Sequence, residues 1–227
     1  MSDSQRTAQG EPRIVLFDFD GVLVAGDSFA HVLRTLIRER WWRRALALAV
    51  TPIAMPLLLS GRHMSLGAAI YQRVALLGEA AGAFDRRLAG FAQALAQNPA
   101  RVHAEAIAAL RAHRVAGDRV LVVSGSEQRL VDGVLAAQGI HGVEVVASRL
   151  VHERGRWRVA RHCYGARKVE ALAELGIERW EVAYTDSLSD LPLLAGARRA
   201  VLVNASDALL ERATRRLGRA PERLRWR

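Results

Sequence analysis

The chain has 227 residues, enough for one substantial core and an accessory unit of a few helices. Hydrophobic residues make up 51% of it, which excludes a disordered chain, and no window has a collagen-like, mucin-like or glutamine-rich composition. A net charge of +10 points to an anionic partner, whether nucleic acid, acidic membrane surface or phosphorylated substrate, while a lone cysteine, Cys163, excludes an intramolecular disulfide and fits a reducing compartment.

Residues 1–12 are polar and read as a flexible tail without the apolar stretch of a signal peptide, so the protein is expected to stay in the cytoplasm after synthesis. A core begins at 13–24. There "RIVLFDFDG" is a short apolar run ending abruptly in polar residues, the pattern of a parallel strand buried on both faces, and it delivers Asp18 and Asp20 at its carboxyl end.

Residues 25–98 read as an all-helical insert. Inside it, Ala45 to Leu59 is an uncharged stretch of 15 residues, short of the ~20 needed to span a bilayer as one helix. Pro52 and Pro56 are expected to break or kink it. Asp18 and Ser124 have to meet in one sheet, so the chain cannot cross a membrane once between them, and two crossings would need roughly 40 apolar residues. Arg34, Arg38, Arg40, Arg43 and Arg44 precede the stretch and Arg62 and His63 follow it, with Trp41 and Trp42 where interfacial anchors lie. The segment reads as a re-entrant or interfacial element that docks the rest of the chain on the anionic inner leaflet of a membrane. The bland alternative is a buried helix or a dimer contact.

The core resumes over 99–210. "RVLVVSGS" is a strand, "EQRLVDGVLAAQG" a helix, "GVEVVAS" a weak strand and "RLVHERGRWRV" a hairpin turning near Gly155. "ARKVEALAELG" is a helix, and "WEVAYTDS" and "RAVLVNAS" are strands. This is an open α/β sheet, in which ligands bind at the carboxyl ends of the strands, so Asp18, Asp20, Ser124, Asp186, Asp190 and Asn204 are expected to converge there. Taken singly, "DFDG" is often only a turn and "SGS" only a helix cap. Ser124 is expected at a helix N-terminus beside Gly125, where free N–H groups suit an anion. Lys168, at the start of a helix, is the only lysine among 33 basic residues. A compact ammonium with three rotatable donors fits where a planar guanidinium fork does not.

Residues 211–227 carry seven Arg against two Glu and read as a basic tail, either a solvated helix end with a frayed terminus or a surface-binding segment. No nucleic-acid partner is expected, because no reading helix, zinc cluster or RNA-stacking motif is present. His31, His103, His113, His141, His152 and His162 lack metal-ligand spacing.

In chain order, "FDFDGVL", "VLVVSGS", Lys168 and "YTDSLSDLPLL" resemble the four motifs of the haloacid dehalogenase superfamily of aspartate-nucleophile phosphohydrolases, spanning residues 14–194. The resemblance implies a Rossmann-like core with a parallel sheet and helices on both faces, and a helical cap inserted between the first and second motifs. It implies Mg²⁺ held by Asp18, the Asp20 carbonyl and Asp186. Asp18 would be the nucleophile, Asp20 the acid and base, and Ser124 and Lys168 the phosphoryl contacts, with Gly125, Ser187 and Asp190 in support. The chemistry agrees, because a carboxylate can attack an anionic phosphate monoester only beside an offsetting cation. Two positions depart from the pattern: Val22 stands where Thr is usual, and Thr185 where Gly is common.

Within the superfamily the chain is similar to the phosphatidylglycerophosphatase C family in its Pro-broken apolar segment, in "CYGARK" and in "YTDSLSDLPLL". That resemblance implies dephosphorylation of a phospholipid, phosphatidylglycerophosphate, at the cytoplasmic side of the inner membrane. The insert also looks like phosphoserine phosphatase, with "QRVALLGE" as its cap helix, Arg73 at the substrate-carboxylate arginine and Asp27 at a substrate-binding acid. The alternative this implies is a soluble hydrolase of a small phosphorylated metabolite.

Overall fold

A computed structural model describes residues 12–60 and 63–226. The expected tail up to residue 11, and Arg62, lie outside the described residues. The first apolar run forms β1 (Ile14–Phe17). It lies at the centre of a seven-stranded sheet with β2 (Arg119–Glu127), β3 (Glu144–Glu153), β4 (Arg156–Arg161), β5 (Trp180–Thr185), β6 (Ala197–Val203) and β7 (Glu222–Leu224), in the order β4-β3-β2-β1-β5-β6-β7. Every neighbouring pair is parallel except β3 with β4, the hairpin.

Successive strand residues enter two cores, one on each face of the sheet. Val15, Phe17, Val120, Val122, Val182, Tyr184, Val201 and Val203 face α5 (Ala104–Val115) and α6 (Gln128–Ala137). Leu16, Leu121, Val123, Ala183 and Leu202 face α7 (Ala166–Ala173), α8 (Leu191–Gly196) and α9 (Asp207–Leu217). Burial on both sides explains why these runs are continuously apolar.

Between β1 and α5 run four helices: α1 (Ser28–Glu39), α2 (Trp41–Leu59), α3 (Met64–Leu76) and α4 (Ala81–Ala96). The two strands of chain that connect them to the sheet pair with one another, through a Val24–Val102 bridge and Ala25 N–H donating to the Arg101 carbonyl at 2.7 Å.

Three expectations are corrected. Pro52 and Pro56 do not break the apolar stretch, because α2 runs through both. Four residues apart, they lie on one side of the helix and remove two N–H donors without interrupting the rest. The reading of that stretch as a buried helix fails as well: only Arg43 and Ala54 of α2 are buried. The C-terminal segment does not fray within the described residues. Gly218, at φ 69°, closes α9 in the left-handed conformation that favours glycine, and β7 then joins the sheet edge. Asn204 pins that strand by donating its N–H to the Leu224 carbonyl and accepting the Trp226 N–H on Oδ1, and Trp226 packs over Phe17 and Tyr184.

Candidate active site

β1 and β5 run side by side, with Phe17 level with Tyr184, and Asp18 leaves the end of β1 with its N–H donating to the Tyr184 carbonyl at 2.9 Å. Its Oδ1 accepts the Phe19 N–H at 2.7 Å, which fixes the carboxylate. Its Oδ2 lies 2.9 Å from Lys168 Nζ, and Lys168 also donates to Asp190 Oδ2 at 2.6 Å. Lys168 is 2% exposed, in the first turn of α7. Burial alone would lower its pKa, but Asp18 and Asp190 more than offset that, so it is held above its ordinary value and stays charged.

Asp190 is placed by Thr185, one of the two residues that depart from the family pattern. Thr185 Oγ1 donates to Asp190 Oδ2 at 2.9 Å and accepts the Ser187 N–H at 3.2 Å. Ser187 in turn caps the short turn over Leu188–Asp190 by accepting the Ser189 N–H. A glycine could do none of this. Asp190 Oδ1, also buried, has no partner among the described residues.

Asp20 stands in a different setting. Its Oδ1 accepts the Ser28 N–H at 2.8 Å, its Oδ2 accepts the Ser126 hydroxyl, and the Ser28 and Ser126 hydroxyls bond each other at 2.9 Å. Burial raises its pKa against the pull of these bonds, which suits a group that must both give and take a proton. Neither Ser28 nor Ser126 emerges from the motif reading. For Ser126 a signal exists: it lies two residues past Ser124 on an extended run.

Ser124 is wholly buried, but not at a helix N-terminus as expected. β2 continues through Glu127 with a register shift after Ser124, and α6 starts at Gln128 with Glu127 as its cap. The Ser124 hydroxyl accepts the Ser126 N–H at 3.0 Å, and Gly125 lies against Tyr164 and the Cys163 carbonyl. Ser124 is thus presented by a strand end.

Asp186 follows β5, and its carboxylate lies over Gly21. Burial, reinforced by Asp190, pushes its pKa up to about 6, and burial likewise raises that of Asp18, opposed by Lys168. Three carboxylates, Asp18, Asp186 and Asp190, face one cation, Lys168, so full ionisation of the cluster needs a second cation. Oxygen donors with excess negative charge fit Mg²⁺. Asp18, Asp186 and the Asp20 carbonyl would hold it. Among the described residues no three His, Cys, Asp or Glu side chains form a ready-made cage, which is consistent with a set of two carboxylates, one carbonyl and water.

Asp27 and Arg73 are not brought into this cluster by any contact in the structure. Asp27 caps α1, accepting the Ala30 N–H at 2.8 Å, and Arg73 is exposed on α3. Val22 is buried in the core, with its carbonyl 2.8 Å from His103 Nδ1.

Similarity to known proteins agrees with this arrangement. Over 120 residues the chain is 34% identical to the probable phosphatase Rv3661 of Mycobacterium tuberculosis, a match covering 50% of this chain but only 41% of that protein. It is 29% identical to the protein CicA of Caulobacter vibrioides over 82% of this chain and 83% of that one. Among solved structures, a Bordetella pertussis protein of unknown function superposes with a TM-score of 0.73 at 22% identity, covering 94% of this chain and 99% of that one. A phosphoserine phosphohydrolase-like protein of Francisella tularensis superposes with a TM-score of 0.62 at 15% identity over 93% and 94%. The family model for haloacid dehalogenase-like hydrolases matches residues 15–195, which hold every group in the cluster around Asp18, and the chain belongs to that family.

Proposed function

We propose that the protein is a Mg²⁺-dependent phosphomonoester hydrolase that works through an aspartyl-phosphate on Asp18. The observation that carries this is the buried Lys168 ammonium between Asp18 and Asp190, which positions a carboxylate nucleophile and favours its ionised form. Bound Mg²⁺ supplies the positive charge that lets two anions approach. Asp18 attacks phosphorus, forming the acyl-phosphate bond as the ester P–O bond breaks, and Asp20 gives its proton to the departing oxygen. Asp20, now ionised, takes a proton from the water that attacks the phosphoryl group, which releases phosphate and restores Asp18. Ser124 and Lys168 donate to the phosphoryl oxygens.

Two substrate classes fit. A small phosphorylated metabolite of the phosphoserine kind has the support of the structural relatives, which include a substrate-bound phosphoserine phosphatase. Phosphatidylglycerophosphate is the second reading, favoured by the exposed apolar face of α2. Phosphate release from O-phosphoserine in plain buffer and from phosphatidylglycerophosphate in mixed micelles, each with Mg²⁺ and with EDTA, separates them. No Mg²⁺-dependent release from either substrate, nor from other phosphomonoesters such as p-nitrophenyl phosphate, would contradict the proposal.

A further inference from the structure

We infer that α2 is a membrane-binding helix that lies in the plane of an anionic bilayer, at headgroup depth, with its apolar face turned to the lipid. The inference does not rest on which monoester is cleaved, although a lipid substrate would be met on that surface.

The face is large and unpartnered. Trp41 is 73% exposed, Leu48 74%, Ile53 66% and Leu59 80%, and Leu66 of the adjoining α3 is exposed as well. No charged residue occurs from Ala45 to Leu59. Soluble monomers rarely leave so continuous an apolar surface to water. Its outward position is enforced at one end. Arg43 is buried and donates to the Leu36 and Leu77 carbonyls and to Glu79 Oε2, the last two at 2.8 Å, clamping the start of α2 between α1 and the end of α3. Beyond the clamp α2 leans mainly on α3 among the described residues, with Thr51 and Tyr71 hydroxyls 2.9 Å apart.

Charge selects the occupant. Arg34, Arg38, Arg40 and Arg44 are exposed around the start of the helix, and the one acidic residue among them, Glu39, is already paired with Arg87. That rim complements an anionic surface and has no acidic counterpart to offer a second copy.

Geometry selects the orientation. At 1.5 Å per residue α2 is roughly 28 Å long, close to the thickness of the hydrocarbon layer. Both its ends return to helices of the same domain, with Arg44 near one end and His63 beyond the other. Insertion along the bilayer normal would drag α3, which returns from the far end of α2 to the rest of the domain, into the hydrocarbon with it. Pro52 and Pro56 also leave the Leu48 and Pro52 carbonyls without their usual helical donors, a deficit that water relieves at headgroup depth but hydrocarbon does not. Trp41 and its ring belong at that same level.

The test is flotation of the full chain with vesicles of phosphatidylcholine alone and of phosphatidylcholine and phosphatidylglycerol in equal parts. Binding is expected only to the anionic vesicles, weakened by salt. Leu48→Glu combined with Ile53→Glu should lower it by at least about tenfold with hydrolysis of p-nitrophenyl phosphate unchanged. Cys163 is buried, so thiol-reactive fluorophores on Leu48→Cys and Leu59→Cys report depth; equal, shallow quenching is expected, and unequal depth overturns the in-plane orientation. An active enzyme that fails to float overturns the inference alone, and a dimer dissolved by the double variant reassigns the face to self-association. Flotation without any phosphatase activity would instead overturn the proposed function.

Discussion

The Asp186 carboxylate occupies the space where a side chain on Gly21 would be: a Cβ built there lies 1.9 Å from Asp186 Oδ2. Gly21 also has φ 75°, so its lack of a side chain serves both the turn after Asp20 and the approach of the second carboxylate. Gly21→Ala should cost about 1–2 kcal/mol from backbone strain and move Asp186 away. The expected outcome is a folded protein whose Mg²⁺ half-saturation point rises at least about tenfold, read from activity against Mg²⁺ concentration beside a thermal melt.

Lys168 is shared by two carboxylates within 3 Å of its Nζ. Lys168→Arg keeps the charge but forces a planar fork into a space filled by one nitrogen, so turnover should fall at least about 100-fold with circular dichroism unchanged. Lys168→Ala leaves Asp18 and Asp190 buried and unpaired and should cost about 3–5 kcal/mol in denaturant titration.

Thr185 distinguishes a positioning hydroxyl from mere bulk. Thr185→Val removes the bond to Asp190 and the acceptor for the Ser187 N–H, and should cost about 1–3 kcal/mol in stability with a lower kcat. Thr185→Ser keeps both bonds, and kcat should recover most of the way.

The raised Asp186 pKa gives a pH dependence of definite sign. Its value near 6 exceeds the ordinary 3.8 of an unfolded aspartate, so the metal-free folded state binds the extra proton. Its contribution to stability is therefore full below about pH 4 and lost as pH rises through about 6. Mg²⁺ competes with that proton. The rise in melting temperature on adding Mg²⁺ should be larger at pH 7.5 than at pH 5, and apparent Mg²⁺ affinity should fall as pH drops through about 6.

Much of this was legible in the sequence because buried parallel strands are apolar on both faces and stop abruptly. "RIVLFDFDG" and "WEVAYTDS" therefore announce both a strand and the carboxylate it delivers. Contacts between elements far apart in the chain were not legible. Nothing local in "GDSFA" says that the Ser28 N–H will meet Asp20, or in "RERWWRR" that Arg43 alone will be buried while Arg44 faces solvent. The terminus misled for a related reason. "ERLRWR" is too charged to read as a strand, yet at a sheet edge Arg199 pairs with Glu222 and Arg223 with Asp207, and Leu224 and Trp226 pack against the core.

Asp18 is expected to become covalently phosphorylated during turnover. Enzyme mixed with Mg²⁺ and a ³²P-labelled substrate, then quenched in acid and digested, tests it directly, with Asp20→Asn included to slow the hydrolytic step. Label on the peptide containing Asp18, released by hydroxylamine and accumulating in the Asp20→Asn protein, is the predicted result. Continued turnover with no acid-stable label, or with label on another residue, would contradict the account.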